Sequence, residues 1–147
     1  MNVRFINHIS LIPASAWHAL VGTDYPFLRH EFLDALEASG SVGAESGWLP
    51  MHLLVESEDG RLLAAMPLFL KTHSYGEYVF DWSWAEAYQN HGLDYYPKLL
   101  AAIPFTPATG QRLVKAADCS TEVTALVAKA CRTKHSNWVH QVGMCCF

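Results

Sequence analysis

The chain lacks the composition of several large protein classes. Only 16% of its 147 residues are charged and 51% are hydrophobic, which excludes an intrinsically disordered chain, since such chains combine high charge with low hydrophobicity. The net charge is -4, and no cluster of Lys and Arg is interleaved with aromatic residues, so we expect no sequence-specific nucleic-acid partner. The charge therefore favours a small-molecule or protein partner. The length favours a single domain over residues 1–147.

Long apolar runs and a disulfide framework are absent too. No apolar run approaches the ~18 residues that a membrane span needs, and the first residues, MNVRFINHIS, lack a basic region followed by an apolar one. The four cysteines all lie in the last quarter of the chain, so disulfides between them cannot cross-link the rest of the fold. We therefore expect a soluble cytoplasmic protein with reduced thiols.

Common catalytic and metal motifs are missing. The sequence has no Gly-x-Ser-x-Gly nucleophile elbow and no GxxxxGK[ST] phosphate loop. Ser74 and His73 are a weak candidate for a catalytic nucleophile and its base, because triad residues come from distant parts of a chain. Adjacent cysteines lack the gap usual in zinc sites, so we predict no metal at the ligand-type residues His135, His140, Cys145 and Cys146.

Hydrophobic periodicity predicts an α+β fold. The predicted elements are, in order, a strand over 3–9, a short helix over 16–21, a helix from 24–26 to 39, a hairpin of 51–58 and 61–71, an extended piece over 78–82, a helix over 83–90 capped by Ser83, a strand towards the end of 97–103, a helix over 120–134 and a strand over 137–142.

Three local details of these elements can be tested. The second helix is expected to show Arg29, Asp34 and Glu37 to water. Asp59-Gly60 predicts a type I′ turn in the hairpin, because both residues tolerate positive φ. Pro67 should make the second hairpin strand bulge or lie at a sheet edge.

One stretch, from Lys71 to Arg112, carries the functional signal. It holds nine of the eighteen aromatic residues and interleaves them with carboxylates and histidines. Aromatic rings can desolvate neighbouring carboxylates and shift their pKa values, as sites for bases or cationic ligands require. The alternative is an aromatic-rich core segment with its charges at the surface.

The strongest candidates for chemistry within this stretch are Glu77 and Asp81. They are four residues apart, a spacing that places them on one side of either a helix or a strand. Such a pair can hold an ammonium group, or one carboxylate can take a proton from an attacking amine. The alternative is that both are structural acids, bridged to Lys71, Lys98 or Arg112. The polar turn after Phe105, which includes Thr106, can present hydroxyls and amides to a carbonyl.

Three motifs carry a family resemblance: HSYGEYVFDWSWAEAY from His73, YYPKLLAAIPFTPATGQRL from Tyr95, and PFLRHEFLDALEASG from Pro26. Together they resemble the bacterial FemAB-like family of predicted N-acyltransferases, linked to peptidoglycan biosynthesis, up to about Ala130. The resemblance implies a GNAT-like mixed sheet flanked by helices. Because family chains continue well beyond QVGMCCF, we expect a truncated member whose fold is incomplete at the carboxyl end.

The resemblance also implies a reaction and its substrates. The donor would be an acyl-CoA such as acetyl-CoA, or an aminoacyl-tRNA, and the acceptor an amine of a small molecule or a peptidoglycan precursor. The family assigns no roles to individual residues; in our own hypothesis, Glu77 or Asp81 would receive the amine proton, and Thr106 or nearby backbone amides would polarise the acyl carbonyl. The predicted substrate-binding residues are His73, Tyr75, Trp82, Tyr88, Tyr95, Tyr96, Thr106 and Arg112. The alternative is a non-catalytic binding module, or an inactive fragment that self-associates through an exposed sheet edge.

Overall fold

The computed structural model describes residues 1–76, 81–136 and 145–146. The predicted strand over 137–142 and most of the extended piece over 78–82 lie outside these residues. The elements are β1 (Asn2–Ile6), a 3-10 turn (Ile9–Leu11), α1 (Ala14–Val21), a 3-10 turn (Pro26–Leu28), α2 (His30–Ala38), β2 (Trp48–Pro50), β3 (His52–Glu56), β4 (Leu62–Met66), β5 (Phe69–Lys71), α3 (Trp82–Asn90), β6 (Lys98–Ala101), β7 (Val114–Lys115), α4 (Glu122–Ser136) and β8 (Cys145–Cys146). The predicted α+β class is confirmed.

The first sheet has the order β1-β3-β4-β7, and every neighbouring pair in it is antiparallel. Successive side chains of β3 point to opposite faces, as they must in a strand. Leu53 and Val55 pack in one cluster with Val127 of α4, while Leu54 packs in another with Trp17 of α1. Helices therefore cover both faces of this sheet, and the core lies in two layers.

The second sheet has the order β2-β5-β6-β8 and is mixed. β2 with β5 and β5 with β6 are antiparallel, whereas β6 and β8 are parallel. Trp48, Phe69 and Leu100 form its apolar cluster. No helix in the described part of the chain is both long and apolar enough to cross a membrane. A GNAT-like arrangement of these elements stays a prediction.

Strands β2 to β5 form one long hairpin that is divided between the two sheets. β3 pairs with β4 in the first sheet, and β2 pairs with β5 in the second. The ladder breaks at Pro67, which has no amide hydrogen, and the Met51 N–H donates to the Leu68 carbonyl at 2.8 Å. Pro67 interrupts the strand, but the predicted bulge or sheet edge is wrong: the register is the same on both sides of Pro67, β4 lies between β3 and β7, and β5 lies between β2 and β6. The chain instead passes from the first sheet to the second there.

A buried pair, His52 and Glu37, occupies this break. The Leu68 N–H donates to His52 Nδ1 at 3.3 Å, so the neutral ring carries its proton on Nε2, which donates to Glu37 Oε1 at 2.9 Å. The other carboxylate oxygen accepts the Ile9 N–H at 2.9 Å. The prediction that Glu37 faces water is wrong, since its side chain is only 6% exposed and serves two donors from other elements.

Two further local predictions need correction. The helix expected from residue 24 begins at His30, because Arg29 has an extended backbone with ψ 143° and the His30 N–H donates to His18 Nε2 at 3.2 Å. The hairpin turn is not type I′, since Gly60 has φ 84° but Asp59 does not have positive φ. Tertiary contacts and turn geometry override the local signal in both cases.

Replacing Glu37 with Ala should destabilise the fold. The change leaves the Ile9 N–H and His52 Nε2–H without their acceptor, and each buried unpaired donor costs roughly 1–3 kcal/mol. Urea unfolding at neutral pH measures the loss. Asp34→Ala on the same helix is the control and should cost much less; equal losses would contradict the role given to Glu37.

The same pair predicts acid sensitivity. Burial raises the pKa of Glu37, but the hydrogen bonds from His52 and Ile9 outweigh it and hold the pKa below its ordinary value of 4.5. A lowered folded-state pKa stabilises the fold above the unfolded pKa, and that contribution is lost as the pH falls through the folded pKa. Stability curves from pH 7 to pH 2 should therefore be flatter for Glu37→Gln than for the unmodified chain.

Candidate functional site

A groove opens between the segment that follows β5 and the start of α3. Its volume is about 290 Å³. Two of its aromatic side chains stand largely in solvent, Tyr75 at 68% and Trp82 at 55% exposed, with their ring centroids 6.2 Å apart. The described residues that line it are Thr72, His73, Ser74, Tyr75, Trp82 and Tyr96. The structure thus brings together four of the predicted substrate-binding residues.

Beneath the groove lies a buried ion pair between Asp81 and Lys98. The Lys98 ammonium donates to Asp81 Oδ2. The Lys98 side chain is 0% exposed and the Asp81 side chain is 2% exposed. Tyr96 donates its hydroxyl proton to the same carboxylate, at 3.0 and 3.1 Å from the two oxygens. Ser74 Oγ lies 2.5 Å from that hydroxyl, and either oxygen can be the donor of the hydrogen bond between them. A hydrogen-bonded chain therefore runs from the groove to Lys98.

Asp81 is held in its charged form. Burial raises the pKa of Asp81, but the hydrogen bond from Lys98, hydrogen bonding from Ser74 and the charge of Lys98 hold that pKa below its ordinary value. A carboxylate with a lowered pKa is a weak base and a good ion-pair partner. For Asp81 the structure thus shows the salt bridge with Lys98 that the sequence left open as an alternative.

A second buried lysine lies directly opposite the first. Lys71 of β5 and Lys98 of β6 are register partners, and both are fully buried. The Lys71 ammonium donates to the Tyr75 carbonyl at 2.6 Å and lies 4.3 Å from the centroid of the Trp48 ring. This cation–π contact and hydrogen bond stabilise the Lys71 charge away from water.

His73 is held in the groove wall by the Tyr75 N–H and by close packing on Gly47. The Tyr75 N–H donates to His73 Nδ1 at 3.2 Å, which leaves the proton of the neutral ring on Nε2. A Cβ on Gly47 would lie 2.3 Å from that Nε2. The ring therefore packs directly on the backbone before β2, a contact that no sequence motif indicated.

The remaining predicted site residues are not described as lining the groove. Tyr95 is 7% exposed and packs between Tyr88 and Tyr96, with centroid distances of 5.2 and 4.9 Å. Arg112 donates to the Ala108 carbonyl at 2.6 Å within its own loop. The Thr106 N–H is bonded to the Ile103 carbonyl at 3.3 Å. Glu77 lies outside the described residues, as do Tyr78 and His140.

Sequence reasoning missed two contributors to the site. Trp48 was not among the predicted site residues, yet its ring faces the Lys71 ammonium. Ser74 was weighed as a partner of His73, but the structure pairs it with Tyr96. The spacing of two between Tyr96 and Lys98 was an available signal, since alternate residues of an extended segment share a side.

Breaking the ion pair should destabilise the chain strongly. Asp81→Asn and Lys98→Met each leave one buried charge without its partner, which costs roughly 3–5 kcal/mol, whereas the double variant should lose less than the sum. Urea unfolding of the four proteins gives the coupling free energy. The control is Asp118→Asn, whose partner Arg61 is 53% exposed, and it should cost less than about 1 kcal/mol. Equal costs at both sites would contradict the buried pair.

The glycine beneath His73 gives a second prediction. Gly47→Ala adds a methyl 2.3 Å from His73 Nε2 at a φ of +67°, so the ring must move out of the wall. Gly92→Ala is a matched control, because its φ is +70° and no atom lies within 4 Å. Both variants carry the same backbone strain, of order 1–3 kcal/mol, and only Gly47→Ala should lower the melting temperature further and shift the His73 NMR signals.

Comparison with known proteins places the chain in a family. The family model described as FemAB-like, peptidoglycan biosynthesis/recognition, matches residues 8–145, a range that includes the groove and the ion pair. Searches of curated proteins and of solved structures gave no match. The chain belongs to the FemAB-like family of peptidoglycan biosynthesis and recognition.

Proposed function

We propose that the chain is an N-acyl-transfer domain whose groove receives the amine-bearing acceptor, a small molecule or a peptidoglycan precursor. The observation that carries the proposal is the open aromatic groove whose Ser74 and Tyr96 hydroxyls are tied to the buried Asp81–Lys98 pair. The membership of the chain in a family of peptidoglycan biosynthesis and recognition supports the choice of acceptor. The donor would be acetyl-CoA, another acyl-CoA or an aminoacyl-tRNA.

In the proposed reaction, the acceptor nitrogen attacks the acyl carbonyl carbon and forms the new C–N bond. The C–S bond of the thioester, or the C–O bond of the aminoacyl ester, then breaks. The nitrogen loses a proton to a base, and the departing thiolate or alkoxide takes up a proton. Thr106 would polarise the carbonyl through its hydroxyl, because its backbone N–H is already bonded to Ile103.

The two candidate carboxylates suit different tasks. Asp81 accepts hydrogen bonds from Lys98 and Tyr96, and its lowered pKa makes it a poor proton acceptor. We therefore assign it to holding the Tyr96 hydroxyl in position and assign the base to Glu77. Ser74 Oγ has two lone pairs and lines the groove, so it can accept an N–H of the acceptor.

Removing the Tyr96 hydroxyl should lower acyl transfer. Tyr96→Phe deletes the link between Ser74 and Asp81, and we expect kcat/KM to fall about tenfold or more, which is about 1.4 kcal/mol in the barrier. The measurement is transfer of a labelled acetyl group from acetyl-CoA to a peptidoglycan-precursor amine. Ser39→Ala removes an exposed hydroxyl that is bonded to the Leu36 carbonyl at the end of α2 and should leave transfer unchanged.

A ligand titration separates this proposal from a non-catalytic binding module. A donor that binds only the folded chain stabilises it by about 2.7 kcal/mol at a hundred times its Kd, so acyl-CoA should raise the melting temperature. Absence of any shift with acyl-CoA and aminoacyl-tRNA, together with concentration-dependent self-association, would favour the binding module.

A further inference from the structure

The described lining of the groove consists of aromatic rings, hydroxyl groups and an imidazole. No Asp, Glu, Lys or Arg is among the described residues that border it. The nearest cations, Lys71 and Lys98, are fully buried behind it and bonded to Tyr75 and Asp81 respectively. Phosphate groups are recognised by charged or multiple N–H donors, which this lining does not present. The groove therefore suits the uncharged part of a substrate and not a donor pyrophosphate.

Its walls are exposed ring faces. Tyr75 and Trp82 meet at 73°, so they form two sides of a recess instead of one flat patch. Two exposed rings in contact form a contiguous apolar patch, and such patches mark interaction sites on protein surfaces. At about 290 Å³ the recess lies near the lower end of ligand pockets, which is about 300 Å³, so it fits one small ring better than a protein surface.

Polar groups stand beside these walls. Ser74 Oγ and the Tyr96 hydroxyl lie 2.5 Å apart at the groove, and both are held by the chain that ends at Asp81. A ligand that matches this lining has an apolar face for the rings and an edge of hydroxyl or amide groups for the two oxygens. A pyranose has this division, with C–H bonds on its faces and hydroxyls around its rim.

We propose that the groove binds an N-acetylhexosamine ring, the sugar unit of peptidoglycan glycan. The proposal rests on the proposed function, because it identifies the part of the acceptor that the groove holds. Trp82 and Tyr75 pack on the faces of the sugar, and Ser74 and Tyr96 bond its rim. The amine that is acylated then lies outside the groove, on the peptide part of the acceptor.

The test uses the full chain and a chitin trisaccharide, N,N′,N″-triacetylchitotriose, as the probe. Titration followed by NMR should show saturable binding that shifts the Trp82 indole signal. Trp82→Ala should weaken binding about tenfold or more, the equivalent of about 1.4 kcal/mol. Trp82→Phe, which keeps a ring, should recover part of the affinity. Melting curves of the variants should stay close to that of the unmodified chain, because Trp82 is 55% exposed.

Trp84 provides the matched control. It lies on the same helix and is 64% exposed, but two residues along a helix place it about 200° away from Trp82. Trp84→Ala should leave the affinity within about twofold, well below the tenfold that corresponds to 1.4 kcal/mol. Absence of binding at millimolar probe, or equal weakening by Trp82→Ala and Trp84→Ala, would overturn the proposal.

A transfer assay distinguishes this inference from the function on which it rests. The acceptor is a sugar-free stem peptide with a free amine. Transfer to this peptide by a chain that does not bind the trisaccharide would overturn the sugar site and leave N-acyl transfer standing. Binding of the trisaccharide without transfer to any acceptor would support the sugar site and overturn the enzymatic function.

Discussion

The buried ion pair between Asp81 and Lys98 is the contact on which the candidate site depends. Helix α3 contains no buried residue, and although Tyr88 packs on Tyr95, no buried apolar face holds the helix in place. Asp81, immediately before that helix, is 2% exposed and is bonded to Lys98 of β6 and to Tyr96. This contact fixes the place where Trp82 begins the helix. The groove wall is therefore set by electrostatics and hydrogen bonding.

Such an arrangement is unusual as a source of stability. Burying two charges costs several kcal/mol per ion, and well-packed apolar residues of similar volume often stabilise a protein as much or more. Here Lys71 and Lys98 are also register partners on neighbouring strands, which places two buried cations side by side. Asp81 compensates one of them, while the Trp48 ring and the Tyr75 carbonyl face the other. Fold stability alone does not call for buried charges of this kind, whereas a site that holds polar groups in fixed positions can use them.

The sequence predicted the parts of the fold that depend on local pattern. Helix α4, with Val123, Val127 and Cys131 buried on one face, and the hairpin around Gly60 follow from periodicity and turn chemistry. The passage of that hairpin from one sheet to the other does not, because local pattern does not show the contact between Glu37 and His52 that lies at this point. Likewise, residue type identified the aromatic and acidic stretch. The assignment of Tyr95 to the interior and Tyr75 to the surface depends on contacts between distant segments.

The site separates charge from the surface that a ligand would meet. Cations and the Asp81 carboxylate lie behind the groove, where low polarity strengthens their mutual attraction, and hydroxyls and rings form its lining. The paired carboxylate keeps its charge at neutral pH and holds the Tyr96 hydroxyl, which lies 2.5 Å from Ser74 Oγ. The described lining of the groove can then present hydroxyl groups in fixed positions to a ligand. An orienting role for Asp81 follows from this arrangement, because a group that exchanged protons with substrate would break the contact that holds α3 in place.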